Sequence, residues 1–169
     1  MLEEEARPSA ATAIPRFRAI GLANDHAGFA LKGFVRDLLA EHCDEVIDVG
    51  ATSEEPVDFP DITRSAVQLV LSGKVDRLVL VCGTGAGACI AANKVPGIRA
   101  AVATETYVAQ QAVEHDNVNV LCIGAWIIGP QVAAAVVRAF LAARFSDAEH
   151  FRRRVRKLDE MDGSLKSPA

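Results

Sequence analysis

Five short apolar runs, at residues 19–23, 46–49, 78–81, 98–103 and 120–123, are each followed by a stretch that a helix can use. After the first, Leu31, Phe34, Val35 and Leu38 recur at i, i+3, i+4 and i+7, the spacing of one helical face. After the second, Ile62, Ala66, Leu69 and Val70 mark another such face, closed by Ser72-Gly73. A further helix is expected over residues 106–115. Pro130 is well placed to start one running to about 144, because its fixed φ suits a first helical position. A basic segment at 147–161 predicts one more. Strands this short, apolar without alternation and separated by helices, call for a parallel sheet covered on both faces. The expected fold is therefore α/β: a three-layer, Rossmann-like sandwich with a five-stranded parallel sheet and a C-terminal basic helix. Its 169 residues fit one domain, since a chain of ~150 residues buries roughly 70% of its unfolded surface. We place that domain at 17–162, between a disordered lead (1–16) and a disordered tail (163–169).

Half of the residues are hydrophobic, 24% are charged, and the formal net charge is −4, which argues against nucleic acid as a partner. No apolar run reaches the ~18 residues that a membrane span needs. The acidic start, with Glu3-Glu4-Glu5, lacks the basic and apolar regions of a secretory signal. Cys43, Cys82, Cys89 and Cys122 show no CxxC pairing, so a cytoplasmic protein with reduced thiols is expected. No His/Cys/Asp/Glu set has metal-ligand spacing, and no metal is inferred.

Ligands of parallel α/β sheets bind beyond the carboxyl ends of the strands, which gathers residues 24–26, 50–59, 82–87, 104–105 and 124–126 on one edge. The third strand runs straight into Cys82-Gly83-Thr84-Gly85-Ala86-Gly87. Glycines let backbone N–H groups approach an anion closely, and the following helix points its positive end at the same place. A cysteine there is expected to ionise more easily than the ~8.5 of a free thiol. Asp25 and His26 follow strand one and face the same edge, although an aspartate at a helix start is also an ordinary N-cap. His115 and Asp116 end the fourth helix, where a cationic histidine suits the helix dipole. The run from Arg152 to Lys157 reads equally well as a solvated face. Cys43, Cys89 and Cys122 are expected to be packing residues. Residues 83–88 also satisfy a dinucleotide-binding pattern, with Glu105 about 20 residues on. That loop, however, follows the third strand rather than opening the domain, and 169 residues leave little room for a second nucleotide half.

Together the motifs resemble those of the ribose-5-phosphate isomerase B and galactose-6-phosphate isomerase family over residues 20–158. They are Asp25-His26-Ala27-Gly28, residues 46–50, Asp58-Phe59-Pro60, residues 82–87, residues 90–99 and Asn119-Val120-Leu121. The resemblance implies a cofactor-independent aldose–ketose isomerase of sugar phosphates that works through an enediolate. It makes Cys82 the base between C1 and C2, Thr84 a proton shuttle, and the N–H groups of Gly83, Gly85, Ala86 and Gly87 an oxyanion cradle. It makes His115, aided by Asp25, the group that opens the cyclic sugar, with Asp116 beside the substrate. His26 and a tail arginine, Arg153 or Arg154, would hold phosphate. Family members are homodimers that share residues between sites, and some dimers pair further into tetramers. The position of Ala88, a carboxylate in some relatives, cannot ionise here, which favours the cysteine.

Several positions depart from the family pattern: Asp116 for asparagine, Phe59 for tyrosine, Trp126 for arginine, and Glu149 or His150 for the first tail arginine. Arg152 and Arg156 are candidate replacements for the lost cations. Ribose 5-phosphate is the first substrate expected, with a tetrose or hexose phosphate as the alternative. A binding module that kept the fold without turnover is the alternative of another class.

Overall fold

A computed structural model describes residues 13–164 of the chain. The remainder of the expected lead and tail, 1–12 and 165–169, lies outside the described residues. The elements in chain order are β1 (Phe17–Asn24), α1 (Phe29–Ala40), β2 (Cys43–Asp48), α2 (Phe59–Leu71), β3 (Arg77–Cys82), α3 (Ala86–Ala92), β4 (Ala100–Val102), α4 (Thr106–Asp116), β5 (Val120–Gly124), α5 (Pro130–Ala142) and α6 (Glu149–Ser164). All strand pairings are parallel, in the order β2-β1-β3-β5-β4. The expected architecture is therefore present, with the basic helix as α6.

Strand periodicity divides the core. Val79 and Val81 of β3, with Ile20, Leu22, Leu121 and Ile123, face α1, α4 and α5. Leu78, Leu80 and Cys82 point the other way and pack with α2 and α3, because successive strand side chains alternate between faces. Central β3 and β5 are apolar and buried almost throughout. Edge strand β2 instead exposes Asp44, Glu45 and Asp48, charges that discourage pairing with another sheet.

Several boundaries differ from expectation. The fourth strand shrinks to three residues because it lies at the sheet edge and pairs on one side only. Ordered contacts begin before residue 17: Ile14 packs against the core, and Arg16 bonds Asp44 and the Cys43 carbonyl, both at 2.8 Å. At the other end, Gly163 and Ser164 belong to α6. Phe34, expected on the buried face of α1, is exposed beside α5.

Phe140 of α5 is fully buried and lies under the Arg77 guanidinium, 5.2 Å from its ring centre. Arg77 also donates to the Val118 carbonyl at 2.9 Å. Phe140→Ala is expected to cost about 3–5 kcal/mol through lost burial and the cavity left behind, measured by urea unfolding. Phe34→Ala on the exposed face of α1 should cost under about 1 kcal/mol.

Candidate active site

β1 and β3 are neighbours, and the connections leaving them diverge, from β1 to β2 on one side and from β3 to β4 on the other. That topology opens a crevice at their carboxyl ends. Asn24 pairs with Val81, and the Asp25 N–H reaches the Val81 carbonyl at 3.3 Å. Asp25 continues the side-chain parity of Ala23, which packs on the α2–α3 face with Cys82. The two side chains consequently meet: the Cys82 thiol donates to Asp25 Oδ2 at 2.9 Å. Asp25 Oδ1 accepts the Gly28 N–H at 3.0 Å and caps the short 3-10 turn His26–Gly28. The N-cap expected of Asp25 is therefore formed by one oxygen, and the other meets the thiol. A cavity of about 10 Å³ adjoins the pair, lined in part by Asp25, Phe59, Thr63, Cys82 and Ala88, space for one water.

The glycine loop lies at the mouth of this crevice. Gly85 adopts φ +83°, a conformation that side chains disfavour, and its backbone packs against that of Cys122 and Ile123. Thr84 is exposed, and its hydroxyl oxygen accepts the Ala86 N–H at 3.3 Å. Ala86 and Gly87 already belong to the first turn of α3. His26 is half-buried, and its Nδ1 accepts the Val57 N–H at 3.3 Å. That bond puts the neutral ring's proton on Nε2, leaving a donor for a ligand.

The expected acidity of Cys82 is corrected by its surroundings. Burial, the hydrogen bond to Asp25 and the adjacent carboxylate charge all push its pKa up. Amides of Gly83 and Gly85 pull it down but by less, and α3, at seven residues, contributes little further dipole. The thiol lowered instead is Cys89, to about 7, because the Cys122 thiol donates to it; Cys122 is raised well above the ordinary range by the same bond and by burial. From the sequence Cys89 is expected to be a packing residue, and no motif marks its pairing with Cys122 across α3 and β5. Cys89 is nonetheless absent from the crevice lining, and position governs before acidity in a choice of base.

His115 is not brought to this crevice within one chain. α4 begins at the carboxyl edge of the sheet and runs away from it for 11 residues, ~16 Å at 1.5 Å per residue. There the His115 ring stacks on Phe151 of α6, with centroids 3.9 Å apart. Asp116, Arg153 and Arg154 lie at that same far end. Arg154 sits over the Phe151 ring at 5.7 Å. Arg152 and Arg156 are engaged by Asp147 and Glu149 respectively. Glu149, held below its ordinary pKa by Arg156, is thereby offset as an anion. Among the described residues, no group of three or more His, Cys, Asp or Glu could hold a metal. No described helix is long and apolar enough to cross a membrane.

A thiol–carboxylate pair at a sheet's switch point, beside a glycine-rich turn, is the candidate site of this α/β protein. A family model described as Ribose/Galactose Isomerase matches residues 20–158, and the chain belongs to that family. It is 40% identical over 136 residues to ribose-5-phosphate isomerase B of Escherichia coli, covering 80% of this chain and 91% of that one. It is also 40% identical over 129 residues to D-erythrulose-4-phosphate isomerase of Pectobacterium atrosepticum, covering 75% and 84%. The solved ribose-5-phosphate isomerase B of Clostridium thermocellum superposes with TM-score 0.84 at 40% identity, covering 88% of this chain and 99% of that one.

The pair carries its own test. Asp25→Asn removes the like charge and supplies a donor, so the Cys82 pKa should fall. Titration at 240 nm, taken as the difference from Cys82→Ala, should show thiolate forming at lower pH than in the parent. No shift would mean that Asp25 does not set the protonation of Cys82.

Proposed function

We propose that this chain is an aldose–ketose isomerase of a sugar phosphate, with ribose 5-phosphate and ribulose 5-phosphate as the first pair, acting in the cytoplasm without a cofactor. The observation that carries the reading is the 2.9 Å contact between Cys82 and Asp25 at the mouth of the glycine loop. The pair shares one proton and one negative charge. Once the thiol has ionised, Sγ is a thiolate able to take the C2 proton of the open aldose. The electrons of that C–H bond then form the C1–C2 double bond of an enediolate. Return of the same proton to C1 gives the ketose, and Thr84 moves the hydroxyl proton between O1 and O2. The N–H groups of Gly83, Gly85, Ala86 and Gly87 stabilise the enediolate oxygens, a contribution that is usually large. The small cavity beside the pair has space for a water, and the sugar is taken to lie against the glycine loop.

His26 supplies a donor for phosphate. The other groups required, His115 to open the ring with Asp25's help, Asp116 beside the sugar, and Arg153 and Arg154 for phosphate, stand at the opposite end of the sheet. A homodimer that lays this end of one subunit over the crevice of the other completes two sites. Self-complementary pairing of this kind is the commonest symmetry among oligomers.

Cys82→Ala should lower kcat by ~10²–10⁴-fold, the scale of a general base. Because thiolate is the active form and its pKa is raised, kcat/KM of the parent should still climb above pH ~8.5. Shared sites have a separate check. Cys82→Ala and His115→Ala, each inactive alone, should regain about a quarter of parental activity when unfolded together and refolded as mixed dimers. No recovery from the mixture would place both groups within one subunit's site.

A further inference from the structure

The chain's sole tryptophan stands beside the base. Trp126 follows β5, and its N–H donates to the Gly83 carbonyl at 3.0 Å, while the Ala125 N–H reaches the Cys82 carbonyl at 2.9 Å. Its indole lies flat enough on Gly83 that a Cβ there would meet the ring at 2.8 Å. One face is therefore covered by the loop, yet the residue remains 71% exposed. Scattered surface apolars are ordinary; this one is pinned at its backbone, seated on a bare glycine, and adjacent to Cys82. Phe59 does the same at the other end of the loop, where a Cβ on Gly87 would meet its ring at 3.0 Å. The amides of residues 83–87 thus lie between two fixed rings, each seated on a glycine.

We infer that Trp126 is a specificity-determining residue whose free indole face packs against the C–H bonds of the sugar's carbon chain. An acyclic sugar phosphate presents hydroxyl oxygens, which the loop amides take, and carbon-bound hydrogens, which a rigid aromatic surface takes at low entropic cost. The inference rests on the isomerase reading and adds to it the surface that selects the chain.

Its position makes the indole its own reporter. Ribose 5-phosphate should change Trp126 fluorescence saturably in the parent protein, and inorganic phosphate alone should not reproduce that change. Trp126→Ala should raise KM by ~10-fold, or ~1.4 kcal/mol of binding, with kcat within ~3-fold, because the contact is the same in ground and transition states. Trp126→Phe should recover most of the loss. A parent that isomerises ribose 5-phosphate without any change in emission would overturn the inference, as would an unchanged KM in Trp126→Ala. Emission that tracks protein dilution rather than ligand would assign the ring to a subunit interface and overturn it also. If Trp126→Ala fails to fold, the parent's emission and Trp126→Phe decide. A parent with no isomerase activity on tetrose, pentose or hexose phosphates would remove the isomerase reading itself, and the inference with it.

Discussion

The hydrogen bond from Cys82 to the Asp25 carboxylate joins the last residue of one strand to the residue just past the end of its neighbour, so it inherits the register of β1 against β3. A slip of one residue in either strand would turn one of the two side chains to the opposite face of the sheet. That register is held by apolar residues on both faces, far from any chemistry. Val79 and Val81 are locked among α1 and α5, and Leu78 and Leu80 among α2 and α3. The site is precise because the core beneath it leaves its strands only one way to pair.

The architecture was legible because its determinants are local and periodic. Each buried strand is a short apolar run, each helix repeats at 3.6, and Gly73 and Pro130 mark element ends. The gathering of the Asp25 turn and the Cys82 loop on one edge followed from topology alone. What escaped was set by neighbours distant in sequence. Burial and a carboxylate 57 positions away reverse the expected acidity of Cys82. The thiol 33 positions from Cys89 makes that one the acidic member of the set. Phe34 keeps the right spacing for burial but meets only the rim of α5. Spacing fixes the direction of a side chain; it does not say what waits there.

The distribution of charged and titratable groups follows the polarity of the sheet. Backbone donors and the thiol–carboxylate pair cluster where the strands end. His115, Asp116 and the basic half of α6 cluster where they begin, with Phe151 stacked on the imidazole. Within α6, Arg152 and Arg156 are committed to Asp147 and Glu149, so the cations of this end differ in their freedom to meet an anion. The positions expected to depart from the family pattern, Trp126, Phe59, Asp116 and Glu149 or His150, belong to the elements around these two clusters.

Gly28 sits so close to β3 that a Cβ would come within 2.1 Å of the Val81 carbonyl oxygen, while its own N–H holds Asp25. The turn after β1 is in effect welded to the strand that carries the thiol. Carboxylate and sulfur therefore travel as one rigid body, and no hinge lies between them. On the proposed role, the pair is the fixed part of the site, and a different sugar would be accommodated through the residues around it.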